Sequence, residues 1–299
     1  MKLQFLPSYK IDESKWNECI KGSINPLLYA TSTYLNAMAD NWGGIVVDDY
    51  AAIMPVTWRQ KFGIKYCYNA AFTQQLGVYT KSAEENYVDD CYALMRQNFK
   101  YGDYSFNYKN HLSNHDSTHN NFIISLASNY RSTSFFYTDK LKADLTKAAN
   151  NSLDYNKGDA EEAINLYRGL YGSRFEHITE RDYKNFHDVC KLLEKENNLI
   201  VRKISSGQKI FAINLLLKDK FRIYNLMSCT TTEGRSKLAG HLLYDAIIKE
   251  FSQTGLVFDF EGSDMDGVAH FYKSFGAINQ PYTKVHFNQL PKLLRLLKR

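Results

Sequence analysis

Apolar residues along this chain switch between helical and strand spacing, and the order of the switches occurs twice. Trp16, Cys19 and Ile20 predict a first helix opening after Asp12 or Ser14; Tyr34, Leu35, Met38 and Trp42 predict a second opening near Thr31 or Ser32. The period then shortens. Gly43 to Trp58 holds two apolar runs joined at Asp48 and Asp49, the pattern of a β-hairpin, and KFGIKYCYN supplies another strand. A helix is predicted over Glu85 to Phe99, with strands at Tyr104 to Tyr108 and Phe122 to Leu126.

Tyr137 to Asp159 has the composition of a join: a lysine-rich helix, an Asn-Asn-Ser break and a turn at Gly158. Helical faces follow over Asp159 to Tyr171 and Glu180 to Glu196, then three strand-like runs, LIVRKI, KIFAINLLL and KFRIYNLMS. The helix SKLAGHLLYDAIIKEF leads to a strand in which Leu256, Phe258 and Phe260 alternate with Val257, Asp259 and Glu261. After a polar turn, Asp264 or Asp266 is placed to cap a short helix carrying Val268, Phe271, Tyr272 and Phe275, closed at Gly276. A last strand lies near Tyr282 to Phe287. The two halves share one element order apart from a helix, which implies a duplication with domains at 1–137 and 138–299.

Composition narrows the class. With 299 residues, 44% hydrophobic and 23% charged, the chain is a globular protein large enough for two cores. Its 22 Tyr and 18 Phe against 5 Pro favour sheets with large side chains, hence an α+β fold. A net charge of +5 suits a phosphorylated ligand but falls short of a nucleic-acid footprint, so DNA is not an expected partner. Cys19, Cys67, Cys91, Cys190 and Cys229 are odd in number and lack CxxC spacing, and are expected to be reduced core residues. No signal-like or membrane-spanning apolar run occurs, which gives a cytoplasmic expectation; the terminal LPKLLRLLKR reads as a docked basic helix. His111, His115 and His119 sit at four-residue spacing near Asp116, but in a stretch so rich in Ser, Asn and Asp that a hairpin loop, not a metal site, is expected. No GxSxG, HExxH or P-loop pattern is present.

The second half resembles the GNAT acyltransferases, in which a mixed sheet splays between two strands and the loop before a helix carries the phosphates of an acyl-CoA. The family pattern there is Gln or Arg, two residues, Gly, one residue, Gly or Ala. Arg235, Ser236, Lys237, Leu238, Ala239 and Gly240 occupy that frame, with Leu238 where the first glycine belongs and Leu243 as the apolar anchor. Amides at a helix start carry positive partial charge, to which Arg235 and Lys237 add. DFEGS (Asp259–Ser263), FYKSFGA (Phe271–Ala277), the joining helix and the two-domain order resemble more closely the Fem-type branch, bacterial tandem GNAT proteins that include peptidoglycan aminoacyltransferases. Members using aminoacyl-tRNA often carry a long helical hairpin, and Asp182 to Leu199 has room for one helix only.

The resemblance implies an N-acyltransferase with acyl-CoA as donor, no metal, and a small-molecule, peptide or sugar amine as acceptor. Tyr272 would protonate the leaving thiolate, or else pack beside Phe271 and Phe275 in the core. Asp259 and Glu261 would orient or deprotonate the amine, or else anchor their turn by accepting backbone N–H bonds. Trp58, Arg59, Gln74 and Gln75 form a polar-aromatic group expected to line an inter-domain cleft and select the acceptor, with a loop held by amide side chains as the alternative. Aminoacyl-tRNA as donor with a cell-wall precursor as acceptor, and a non-catalytic ligand-binding or scaffold role, remain as alternatives.

Overall fold

The computed structural model describes residues 1–82, 87–113, 117–175 and 177–292. The chain forms two compact units, Met1–His119 with Pro281–Arg299, and Asn120–Gln280.

In the first unit, β1 (Leu3–Pro7) precedes α1 (Glu13–Gly22) and α2 (Ser32–Met38). Asp12 and Thr31 cap these helices by accepting from the Ser14 and Lys15 amides and from the Tyr34 amide, as their side chains predict. There follow β2 (Trp42–Val47), β3 (Ala52–Lys61), β4 (Ile64–Cys67), β5 (Tyr79–Thr80), α3 (Val88–Asn98), β6 (Tyr101–Ser105) and β7 (Ser117–His119). The hairpin β2–β3 stands where its pattern placed it, turned by Asp48 and Tyr50 with positive φ. The expected start of the third helix at Glu85, the His115 and Asp116 pair, and the tail beyond Lys292 lie outside the described residues.

The second unit contains β8 (Phe122–Ser125), α4 (Tyr130–Ser134), α5 (Asp139–Ala149), β9 (Asp154–Lys157), α6 (Ala160–Tyr171), α7 (Glu180–Lys195), β10 (Leu199–Ser206), β11 (Lys209–Lys218) and β12 (Arg222–Thr230). It continues through α8 (Thr232–Ser236), α9 (Ala239–Glu250), β13 (Val257–Asp259), α10 (Asp266–Ser274) and β14 (Ile278–Asn279); β15 (Tyr282–Asn288) follows. Reciprocal capping boxes, Asp159 with Glu162 and Thr179 with Asp182, explain why α6 and α7 begin where they do.

The sheets run β1-β2-β3-β4-β6-β15-β7, with β5 on β3, and β14-β8-β13-β12-β11-β10-β9. Read outward from β1 and from β9, the two orders match. Each has one parallel contact, β4 with β6 and β12 with β13. The strand that closes each half of the chain completes the other half's sheet: β8 lies between β13 and β14, and β15 between β6 and β7. The units therefore divide at 119/120 and 280/281, not where composition places the join. Periodicity identifies a strand but not its partner, because pairing is chosen by the neighbouring edge.

In the second unit α6 and α7 cover one face of the sheet, while α5, α9 and α10 cover the other. Under the latter helices Tyr244 is ringed by Phe258, Phe260, Phe271, Tyr272 and Phe275 at centroid distances of 5.4 to 6.1 Å. Burial of a large aromatic is worth ~1.5–3 kcal/mol, with ~0.5–1.5 more for a well-set ring pair. The short helix α10 is thereby pinned to the sheet. Its N-terminal cap differs from expectation: Met265 holds the cap position without a side-chain bond, while Ser263 accepts from the Met265 amide at 3.0 Å. Asp264 instead accepts from the backbone and side chain of Asn120.

Candidate functional site: where β12 and β13 part

The register of β12 and β13 runs from Arg222↔Val257 to Tyr224↔Asp259, whereas β11 accompanies β12 as far as Thr230. Beyond Tyr224 β12 has no strand on its β13 side among the described residues. The β11–β12 register shifts at the same level, Leu215 facing Met227 and Leu216 facing Asn225, so one extra residue of β12 is accommodated there. Such a bulge turns the strand and frees backbone groups from the ladder.

The parting begins at a buried ion pair. Arg222 donates through Nη1 to Asp259 Oδ2, and the two side chains are 5% and 2% exposed. Asn121 Nδ2 donates to the same oxygen at 3.2 Å, and the Glu261 amide donates to Oδ1 at 2.9 Å. Arg222 also reaches Gln280 Oε1 at 3.0 Å. Asp259 thus ties β13 to β12 and to the following turn. Glu261 stands next in that turn with φ of 63°, followed by Gly262 at 71°.

On the face covered by α9, the parting exposes a polar patch inside an apolar core. Asn225 Nδ2 donates to the Tyr244 hydroxyl at 2.7 Å, and that hydroxyl donates to Ser228 Oγ at 3.0 Å. Asn214, on β11, is fully buried with both amide atoms unpartnered, and Asn225 Oδ1 is unpartnered as well. Burying such atoms without partners costs ~1–3 kcal/mol each. Tyr272 lies beside this patch, its ring 4.5 Å from that of Phe260. Burial first, then Tyr244 and the nearby Glu261 and Asp259, raises its hydroxyl well above the usual 10, so it is a protonated phenol at neutral pH.

Next to β12 the helix expected from Ser236 begins at Ala239 as α9, and the short α8 precedes it. Thr231 caps α8 by accepting from the Gly234 amide at 2.9 Å, and Leu238 then adopts φ 57°, ψ 27° before α9 begins. This is the left-handed conformation that costs an L-residue ~1–2 kcal/mol and that glycine adopts freely. Leu238 thus takes a glycine-like conformation at the position where the resembled pattern has glycine. Ala239, Gly240 and His241 open α9, where amides lack intrahelical acceptors. A Cβ on Gly240 would come within 2.9 Å of Thr230 Oγ1, which shows how closely this helix start abuts β12. Arg235 and Ser236 are exposed, and the Lys237 ammonium lies 5.7 Å from the Phe211 ring centroid.

A cavity of about 180 Å³ adjoins this helix start, walled by Lys140 and Asp144 of α5, His241 of α9, and His270 and Phe271 of α10. Burial lowers the His241 pKa, opposed by Asp144 and assisted by Lys140. His241 belongs to no sequence motif; only its place in the first turn of α9 marks it.

The expected acceptor group lies in the first unit. Trp58 is buried, its ring 5.7 Å from Phe5 and 5.5 Å from Phe99. Arg59 pairs with Asp40 at 2.5 Å and stacks 4.3 Å from the Tyr68 centroid. Gln75 accepts from the Tyr108 amide at 2.9 Å and donates to Gln74 Oε1 at 2.5 Å.

All five cysteines are buried free thiols. Burial pushes Cys19 to about 11 and Cys91, Cys190 and Cys229 to about 12, away from thiolate chemistry at neutral pH. Among the described residues there is no cluster of His, Cys, Asp or Glu fit to hold a metal ion, and no helix is long and apolar enough to cross a membrane.

No protein-family model and no curated protein matches the sequence. Solved structures do match. The chain is similar to FemX, with 11% identity, a TM-score of 0.67 and full coverage of both chains. A tandem GNAT protein from the clavulanic acid biosynthesis pathway aligns over 97% of this chain and all of its own, with 10% identity and a TM-score of 0.56. L-PGS from Bacillus licheniformis aligns over 96% of this chain and 95% of its own, with 12% identity and a TM-score of 0.50. The fold is therefore that of the Fem-like tandem GNAT proteins, two GNAT-like domains of mixed α+β structure.

Proposed function

We propose that the protein is an N-acyltransferase whose second unit binds an acyl-CoA donor at the parting of β12 and β13. The observation that carries this reading is the conjunction, within a few residues, of a parallel pair that separates after Tyr224, a bulged strand, and a helix start held in its turn by left-handed Leu238. Strand backbone freed from the ladder offers polar groups to an extended chain, and the helix start offers amides to phosphate. Arg235, Ser236, Lys237, Ala239 and Gly240 would meet the donor's phosphates.

In the transfer, the acceptor's amine nitrogen attacks the thioester carbonyl, the carbon–sulfur bond breaks, and the thiolate takes a proton. Tyr272 is the phenol assigned to give that proton, and burial keeps it protonated at neutral pH. Asp259 is occupied by Arg222, Asn121 and the Glu261 amide, so its part is to hold the strand end, and Glu261 is the carboxylate assigned to the departing amine proton. The acceptor class is an amine on a small molecule, peptide or sugar; Trp58, Arg59, Gln74 and Gln75 remain its assigned contacts.

Calorimetry with acetyl-CoA, CoA and a longer acyl-CoA tests the donor. Saturable binding that is lost in the Arg235→Ala/Lys237→Ala double variant supports the reading, and absence of binding by all three overturns it. A second reading, a binding protein without transfer activity, is favoured by Leu238 itself: its side chain occupies the place where the resembled loop keeps glycine for close approach of a pyrophosphate. Binding without amine-dependent release of thiol would select it.

A further inference from the structure

The short segment joining α4 to α5 turns two adjacent phenylalanines into solvent. Phe135 is 75% exposed and Phe136 70%, their rings edge to face at 5.6 Å, while the next residue, Tyr137, is buried against Phe275. The backbone fixes this outward pose: the Phe135, Phe136 and Tyr137 amides donate to the carbonyls of Arg131, Thr133 and Ser134. Phe136 also lies against the Gly276 backbone, where an added Cβ would come within 2.7 Å of the Phe136 Cβ. Two large apolar rings held out on a rigid corner require a reason in a chain that leaves few of its aromatics exposed.

The surrounding charge is basic. Arg131 stands one turn before the pair, Lys142 donates its ammonium to the Phe135 carbonyl at 3.4 Å, Lys140 sits in the first turn of α5, and Lys273 precedes the Ser274 carbonyl that accepts from the Thr138 amide. All four are exposed. Asp139 faces Lys142 at 3.8 Å, and Asp144 is half-buried and paired with Lys147 at 3.6 Å, so the local balance stays positive. Two protruding rings are too small a patch for a stable protein interface, which places its aromatic anchors at the centre of a much larger surface. Rings on a convex corner within a basic collar instead match the interfacial layer of a bilayer: the rings enter the headgroup boundary, the lysine and arginine stems lie along it, and their charges meet anionic headgroups.

We propose that this corner of the second unit docks the protein on anionic phospholipid membranes, with Phe135 and Phe136 inserted and Arg131, Lys140, Lys142 and Lys273 against the headgroups. The inference is independent of the transfer chemistry. Cosedimentation of the full chain with phosphatidylcholine vesicles, with and without phosphatidylglycerol, tests it at low and high salt. Binding is expected only with phosphatidylglycerol, is weakened by salt, and falls at least about tenfold in Phe135→Ser/Phe136→Ser. Arg131→Glu/Lys142→Glu, which changes only exposed side chains, is expected to fall comparably while its far-UV circular dichroism and melting stay those of the parent. No binding to phosphatidylglycerol vesicles, equal binding to neutral vesicles, or binding indifferent to both double variants overturns the proposal. So does a dimer in solution that dissociates on loss of the phenylalanines without any vesicle binding, which would assign the corner to a second copy of the chain.

Discussion

Each unit has a sheet in which one parallel contact is short, and the two resolve that break in opposite ways. In the first unit β4 meets β6 at Cys67 and Gly102, and the segment after β4 hydrogen-bonds straight back to the β6 region. The Leu76 amide donates to the Ser105 carbonyl at 2.9 Å, Asn69 accepts from the Ser105 amide at 3.3 Å, and Gln75 accepts from the Tyr108 amide. Asn107 and Asn110 are turned to the same purpose, donating to the carbonyls of Leu76 and Val78. In the second unit the chain leaves β12 for α8 and α9, no loop returns among the described residues, and Asn214 and Asn225 keep unpartnered atoms. The difference teaches that a shared strand order does not make two equivalent sites. The stitched parting keeps one unpartnered amide oxygen, on Asn25 beside Asn107, where the unstitched one keeps three such atoms, on Asn214 and Asn225, at a greater cost to stability.

The largest test breaks the second parting at its root. Asp259→Ala leaves Arg222 as a buried uncompensated charge and is expected to cost ~3–5 kcal/mol in urea unfolding, with Asp259→Leu/Arg222→Met recovering much of the loss. A cost under ~1 kcal/mol for the single change would remove the ion pair from this account. Next, Asn107→Leu in the first unit discards bonds to two carbonyls and to Asn25, for an expected loss of ~2–3 kcal/mol. Asn214→Leu in the second removes only a poorly aligned approach to the Tyr244 hydroxyl and is expected to be neutral or stabilising by ~1 kcal/mol. Equal losses at the two positions would erase the contrast between the units.

Smaller effects sharpen it. Leu238→Gly relieves the left-handed backbone while losing a half-buried side chain, so stability should move by less than ~1 kcal/mol while affinity for CoA rises severalfold in calorimetry. The smallest effect is one of pH. The folded pKa of His241 is lowered below its ordinary 6.5, chiefly by burial, so the folded state favours the neutral ring. Its contribution is present above pH 6.5 and is lost as pH falls through the lowered value. His241→Gln should flatten the denaturation midpoint over that acid window and leave neutral pH unchanged.

Much of the fold was legible in the sequence because its signals are local. Caps at Asp12 and Thr31, helices opening near Asp159 and Glu180, the hairpin turned at Asp48, and three long strands from Leu199 to Thr230 follow from side-chain period and capping chemistry. The frame Arg235 to Gly240 is located by its resemblance to the GNAT loop pattern, and the carboxylates of the DFEGS turn by strand alternation. The short strand β9 escaped notice, since DYNK has neither alternation nor β-branched residues to mark it.

Tertiary structure decided the rest. It decided that β8 and β15 complete sheets other than those of their chain neighbours, because an edge strand pairs with whichever edge is presented, however distant in sequence. It decided that Asp259 faces Arg222, since a strand's alternation assigns a side chain to a face but not to a partner. And it decided that Asn214, Asn225, Ser228 and Tyr244, spread over three elements and carrying no motif, share one buried patch. Order, period and caps are written residue by residue; pairing and burial depend on what the rest of the folded chain brings alongside.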